Sequence, residues 1–341
     1  MLILLALMNV HAYAQNFSNA LEYMEYISSY QRDITEDFLS YTSAVAHGKT
    51  ARKIEKRRLE LVNSVKDGKR KIAAMPAYQG DKALRDSATQ YLGITYDILN
   101  DDYAKIVNME EVAEQSYDAM EAYLLAQDLA GEKQDRAAAS YSNSVEAFAK
   151  KNNITLLDEK SKFKQKVEKA SKVNKYHREI YLIFFKSYKQ ELYLLDALDK
   201  KDFSAIEQNN NTLKQYAEEG IVTLAKKQAF EGKDNTLTQA CRELLNFYKQ
   251  EVTKTKLITD FMLKNESFTK LKSVFEAKSA SERTKEDVDN YNKQIADLNK
   301  AVSMYNQTTA DLNNSRSRLI NNWNKASSNF LDNNTPKYNK K

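Results

Sequence analysis

Seven glycines and two prolines are spread over 341 residues, and this scarcity constrains the fold more than any motif does. Glycine supplies positive φ and proline a preset φ at tight reversals, so hairpins and sheets consume both. A chain with so few can turn only a handful of times, and each element between turns must be long. The good helix formers Lys, Glu, Ala, Leu and Gln fill those stretches. The expectation is an all-α fold of long antiparallel helices in one or two elongated bundles.

Apolar periodicity places the helices. Met24, Ile27, Ile34, Phe38, Tyr41 and Val45 recur at three, four or seven, giving one helix face between Asn16 and Ala46. His47-Gly48 ends it, and Thr50 can cap a second helix carrying Ile54, Leu61, Val65, Ile72 and Met75, which Pro76 stops. A third helix is expected from about Lys82 to Gln127, on Leu84, Ala88, Tyr91, Ile98, Ile106, Met109, Ala113, Met120 and Leu124. Gly131 is read as its break, and a shorter fourth helix ends in "KKNNI" at 150–154.

The second half follows the same plan. Helices are expected over Tyr176–Leu198 and about Phe203–Gln228, then a long one through Leu237, Leu244, Phe247, Ile258, Phe261 and Phe268. From Tyr291 to Phe330 the stripe alternates four and three, interrupted only by Thr309 and Arg316. A sustained 3.5-residue period means a coiled-coil-like seam against long neighbours.

One phrase is written twice. "PAYQGD" at 76–81 is echoed by "QAFEGKD" at 228–234, pairing Tyr78 with Phe230 and Gly80 with Gly232, with a one-residue gap near Asp234. Each phrase sits where a medium helix reverses into a long one. The reading is a tandem duplication of about four helices per copy, 15–154 and 155–332, with a flexible polar tail at 333–341. Glycine permits each turn and the aromatic can pin it to the bundle end. Should the turns serve binding, Tyr78 and Phe230 are the exposed aromatic candidates.

The apolar run "MLILLALMNVHAYA" ends in small residues, so residues 1–14 read as a signal peptide cleaved after Ala14. No Lys or Arg precedes that run, so either the start lies upstream or the amino terminus alone serves as the basic region. No later run approaches the ~20 apolar residues that span a bilayer. The chain is therefore expected to be exported, in the periplasm or at the outer surface of a bacterial cell. Cys241, the single cysteine, allows no internal disulfide and falls on an apolar face opposite Ala88 in the echo. It reads as a buried small residue rather than a reactive thiol.

Charge is unevenly placed. Lys49–Lys71 holds ten Lys or Arg against three acids, while Asp97–Asp128 holds nine acids against Lys105. Side-by-side packing of the two helices, plus a solvated face, accounts for both. If charge serves binding instead, His47, Lys49, Arg52, Lys53, Lys56 and Arg57 form the candidate patch, suited to an anionic glycan or lipid. Nucleic acid is not expected in an exported chain.

Catalytic and metal motifs are sparse. Glu110, Glu114, Asp118 and Glu121 form a carboxylate ladder, but no Glu-x-x-His accompanies it, and no Asp-rich glycine loop suits calcium. His47 and His177 have no His or Cys at ligand spacing. Neither a Gly-x-Ser-x-Gly turn nor a Gly-rich phosphate loop occurs. No catalytic residue, cofactor or metal is assigned. Of the twenty-one tyrosines, Tyr41, Tyr91, Tyr176, Tyr291 and Tyr305 fall on core stripes and read as boundary packing.

"YTSAVAHGKTARKIEKRR" (41–58) and "MEEVAEQSYDAMEAYLLAQ" (109–127), with the signal-like start, resemble a family of exported helical bacterial proteins, the leptospiral-type surface proteins. The resemblance is sharpest over residues 19–130. It implies an envelope location and supplies no catalytic residues. The imelysin-like proteins, also duplicated exported bundles, carry Gly-x-His-x-x-Glu; neither His47-Gly48-Lys49-Thr50 nor His177-Arg178-Glu179-Ile180 matches it. The expectation is thus a non-enzymatic exported helical protein with a structural or partner-binding role, toward an envelope protein or surface glycan. An imelysin-like metal-dependent or other helical-bundle envelope enzyme is the alternative, as is a binder of anionic glycan or lipid through 49–71.

Overall fold

Lys, Glu and Leu-rich stretches separated by a few turns become eight long α-helices in the computed structural model, which describes residues 17–47, 50–102, 113–156 and 162–338. They are α1 (Ala20–Ala46), α2 (Ala51–Ala73), α3 (Ala83–Asp97), α4 (Tyr117–Lys151), α5 (Lys162–Lys200), α6 (Phe203–Ala225), α7 (Thr236–Ala277) and α8 (Lys285–Asn334). Among the described residues there is no strand, only the isolated bridges Tyr78–Asp81 and Phe230–Asp234. The all-α expectation holds. The expected signal peptide and its cleavage point lie outside the described residues, as do Lys49 and Glu110.

Two compact units divide the chain: Met1–Ser171 with Thr335–Lys341, and Lys172–Asn334. The division falls inside α5 rather than after Ile154. In the first unit α1 packs on α2, α2 on α3 and α3 on α4. Its core is Tyr23, Ile27, Ile34, Leu61, Val65, Ile72, Leu84, Ala88, Leu92 and Phe148. Phe38 and Val45, read as core from their spacing, face outward; the buried side of α1 runs through Tyr23, Ile27, Ile34 and Leu39 instead. The tail does not hang free at Thr335–Tyr338. Thr335 is buried, the Tyr338 N–H donates to Ser43 Oγ at 3.2 Å, and Lys166 Nζ sits 5.4 Å from the Tyr338 ring.

The expected helix from 82 to 127 is not one helix. After Asp97 the backbone widens into a π turn at Ile98–Asp102, and α4 begins afresh at Tyr117. Ser116 is its N-cap, extended in backbone and accepting from the Ala119 N–H, which satisfies one of the free amides of a helix start. Gly131, read as the break, lies inside α4 with open space around it. A lone helical glycine costs only about 1 kcal/mol, and the flanking turns outweigh that.

In the second unit α6 packs on α7 and α7 on α8. Leu213, Ala217, Leu224, Leu237, Leu244, Leu245, Tyr248, Ile258, Leu319, Trp323 and Phe330 are buried. Beyond Ile258 and before Ala301 no side chain is buried. There α7 and α8 form a two-helix arm held by its own ring pairs: Phe261–Tyr305 at 4.3 Å, Phe268–Tyr291 at 5.5 Å and Phe275–Tyr291 at 4.2 Å. This is the half-exposed seam that a heptad stripe makes when it meets a single partner.

Candidate functional site

The two echoed turns close in the same way. In the first, Tyr78 and Asp81 exchange backbone hydrogen bonds at 3.0 and 2.9 Å around Gln79 and Gly80, both at positive φ. In the second, Phe230 and Asp234 do so at 2.7 and 3.1 Å around Glu231 and Gly232, with Lys233 as the extra residue. Each aspartate then accepts from a backbone amide at the next helix start, Ala83 or Thr236. Glycine carries the larger positive φ at no steric cost, whereas Gln79 and Glu231 must be held there.

Three rings hold each turn. Tyr23 lies 5.4 Å from Tyr78 and 5.6 Å from Phe148, and its hydroxyl donates to the Pro76 carbonyl at 3.1 Å. Tyr176 lies 5.3 Å from Phe230 and 5.5 Å from Phe330, and its hydroxyl donates to the Gln228 carbonyl at 3.0 Å. The last helix of each unit ties back to the turn aspartate: Lys151 to Asp81 at 2.6 Å, Asn334 to Asp234 at 2.8 Å. Tyr78 and Phe230 are therefore not the exposed aromatics expected from the sequence. Phe230 is buried and Tyr78 half-buried, because each ring fills the end of its bundle.

A second polar constellation lies in the interior of the second unit. Arg316 of α8, one of the two interruptions in the heptad stripe, donates from Nε to Glu191 of α5 at 2.6 Å and from Nη2 to Glu251 of α7. Its Nη1 donates to Asn313 at 2.5 Å, and its guanidinium lies 5.9 Å from the Phe247 ring centre. Both glutamates are almost wholly buried. Their outer oxygens, and the hydroxyl of buried Tyr248, have no well-aligned hydrogen-bond partner. Burial first, and the Glu191 charge second, push the Glu251 carboxyl far above the usual carboxylate range, with Arg316 opposing. Burial also keeps the Tyr248 phenol protonated, with Glu191 adding to the effect. Burial disfavours charge on Arg316, but the two glutamates overcome it and its pKa rises.

One local trace of this centre stands in the sequence. "YKQE" occurs at 188–191 and again at 248–251, each time placing Tyr and Glu one turn apart. Arg316 was visible as a break in an apolar stripe. Its partners, 125 and 65 residues away, were not.

The other candidates are dispersed. His47 caps the C-terminus of α1. Arg52, Lys53 and Lys56 are exposed on α2 and Arg57 is half-buried. Among the described residues α2 pairs with its own acids, as in Arg57–Glu60, Arg58–Glu55 and Arg70–Asp67 at 2.7, 2.9 and 2.9 Å. Part of the acidic segment expected to offset α2, 103–112, lies outside the described residues. Glu114, Asp118 and Glu121 are exposed, and no group of three metal-ligating side chains occurs among the described residues. His177 stacks on Tyr181 and Phe330 and shares a 2.7 Å hydrogen bond with Ser327. Burial, then Arg178, lower its pKa to about 4, so at neutral pH it is uncharged. Cys241 is free and buried, with its thiol pKa raised by burial. Among the described residues no helix is long and apolar enough to cross a membrane.

Fold and site together define an all-α bundle protein with an aromatic-clamped turn in each unit and a buried ionic centre in the second. Comparison with protein-family models, curated proteins and solved structures finds no significant match.

Proposed function

We propose that this chain is a non-enzymatic, exported envelope protein of two duplicated helical units, with a structural role and a partner-binding face on α2. The observation that carries the binding part is the outward stripe of α2. Arg52, Lys56, Lys66 and Arg70 fall along one line of the helix with exposed Leu59 among them. Arg52, Lys53, Lys66 and Lys71 have no ion-pair partner among the described residues. Such a stripe suits an acidic envelope glycan or an acidic protein face, with affinity that falls as salt rises. The constant register of the two turn clamps supports duplication, and the leptospiral-type resemblance supports the envelope location.

The test is capture of envelope extract on the immobilised protein at low and high salt, beside Arg52→Glu/Lys56→Glu/Lys66→Glu. Retention that weakens at least tenfold with salt and is lost in the variant is the expected result. Equal retention by both proteins would remove α2 as the binding face. Fractionation of expressing cells, with N-terminal sequencing of the product, tests export and the cut after Ala14.

A further inference from the structure

The buried centre of the second unit cannot be charge-neutral on its own residues when fully ionised. Glu191 and Glu251 carry two negative charges and Arg316 one positive, in an interior where an unbalanced charge is very costly. The other groups facing it do not change that sum. They are the phenols Tyr188 and Tyr248, and, toward α6, the amides Gln190, Asn209 and Asn210; Gln190 Nε2 donates to Asn209 Oδ1 at 2.8 Å and Asn210 Nδ2 to the Val252 carbonyl at 3.2 Å. Asn313 only accepts from Arg316. One more unit of positive charge is required, and the outer oxygens of the two carboxylates, which lack a well-aligned donor, mark where it would sit.

We propose that a single proton shared between Glu191 and Glu251 is a structural part of the second unit, and that its release is a latch for the arm of α7 and α8. The centre joins three helices. Glu191 anchors α5, Glu251 lies two turns before Ile258, and Arg316 lies on α8 below the residues that enter the arm. With the proton in place, the two carboxyl groups and the guanidinium form a cross-brace of zero net charge at the arm's root. Without it, two carboxylates face one guanidinium and the brace repels itself or admits water. The direction of the Glu251 shift agrees: its folded pKa exceeds the unfolded value, so the stabilisation is complete below the unfolded pKa and is lost as pH rises through the folded one. The first unit provides an internal control. In the helix register fixed by Phe148 and Phe330, Gln134 takes the place of Arg316. There it makes neutral hydrogen bonds to Tyr91 and Thr95 at 3.1 and 3.0 Å.

Amide hydrogen exchange on the full chain at pH 6.5 and pH 9.5, normalised to intrinsic rates, tests this. The wild type is expected to lose protection at least tenfold at pH 9.5 around 188–194, 248–258 and 310–319, with 88–96 and 130–138 unchanged. Glu251→Gln, which mimics the protonated carboxyl in shape and charge, is expected to keep protection at both pH values, and Glu191→Gln to do likewise. Equal loss in wild type and both variants, or equal loss in both units, would overturn the proposal. So would full protection restored at pH 9.5 by sodium or potassium chloride and not by the tetramethylammonium salt, since that assigns the missing charge to a metal cation.

Discussion

Superposing the register of the two units at their turn aspartates, Asp81 and Asp234, aligns Tyr23 with Tyr176, Ile27 with Ile180, Leu84 with Leu237, Ala88 with Cys241 and Leu92 with Leu245. Near the turns the two units have the same chemistry: an aromatic trio, a tyrosine hydroxyl on a turn carbonyl and an aspartate tied to the last helix. Farther along the helices they part. Met24 and, with the last helices aligned through Phe148 and Phe330, Val145, both packed on an apolar core, are answered by His177 and Ser327, which hydrogen-bond to each other. Thr95 and Gln134 are answered by Tyr248 and Arg316. The turn end is a clamp whose geometry leaves little freedom. The layers beyond it accept polar groups as long as each layer satisfies itself, and the second unit has taken that course with charges.

Arginine 316 and Gln134 offer the widest gap between the units. Arg316→Met strands two buried carboxylates and is expected to destabilise by about 3–5 kcal/mol. Gln134→Met removes neutral hydrogen bonds beside groups that have other partners, at a cost of about 1 kcal/mol. Urea unfolding measures both. Replacing the whole centre, as Glu191→Leu/Glu251→Leu/Arg316→Met, is expected to recover most of the loss, because the isolated charge rather than the missing bridge is what costs. If the triple variant is as unstable as Arg316→Met, the centre contributes shape rather than charge balance and the contrast with Gln134 disappears.

Acid should separate the units next. His177 has a folded pKa of about 4 against an unfolded value near 6.5, so between those pH values the unfolded chain binds the extra proton. Stability conferred by the neutral ring is complete above pH 6.5 and falls as pH drops toward 4, by about 3 kcal/mol in all. Introducing the first unit's residues, as His177→Met/Ser327→Val, is expected to flatten that part of the profile in thermal melts from pH 7 to pH 4. An unchanged slope would mean that other groups dominate acid unfolding.

How far the sequence could foretell this depends on distance along the chain. The scarcity of Gly and Pro gave the helix class, and the stripe from Tyr291 to Phe330 fell inside α8. The echo of 76–81 at 228–234 located both turns, including the extra residue now seen as Lys233. Three things were hidden. The break before Tyr117 was masked because Ile106, Met109, Ala113 and Met120 keep helical spacing across it, while the true signal was one capping serine. The burial of Tyr78 and Phe230 has no local signal, because turn residues are usually solvent-facing and only the tertiary fold supplies Phe148 and Phe330 to cover them. The ionic centre draws its three members from three helices, so no local window contains it.

The smallest expected effect tests how closely the clamp end is matched in the two units. Gly68 of α2 and Gly220 of α6 hold the same place and touch matching neighbours. A Cβ on Gly68 would meet Ile34 Cδ1 at 3.3 Å, Tyr30 Cβ at 3.4 Å and Leu92 Cδ1 at 3.5 Å. On Gly220 it would meet Leu245 Cδ1 at 2.7 Å and Ile183 Cγ2 at 3.1 Å. Alanine gains up to about 1 kcal/mol of helix propensity at either site. At Gly68 the tightest contact is the movable end of Ile34, so Gly68→Ala is expected to lie between neutral and slightly stabilising. At Gly220 the overlap falls on fully buried Leu245, and overpacking of about 1–3 kcal/mol outweighs the gain, leaving Gly220→Ala destabilised by about 1–2 kcal/mol. Chemical denaturation of the two variants distinguishes these cases. Opposite signs mean that α6 approaches its neighbours more closely than α2 does. Equal effects would place the two helix pairs at one spacing and confine the difference between the units to the polar layers.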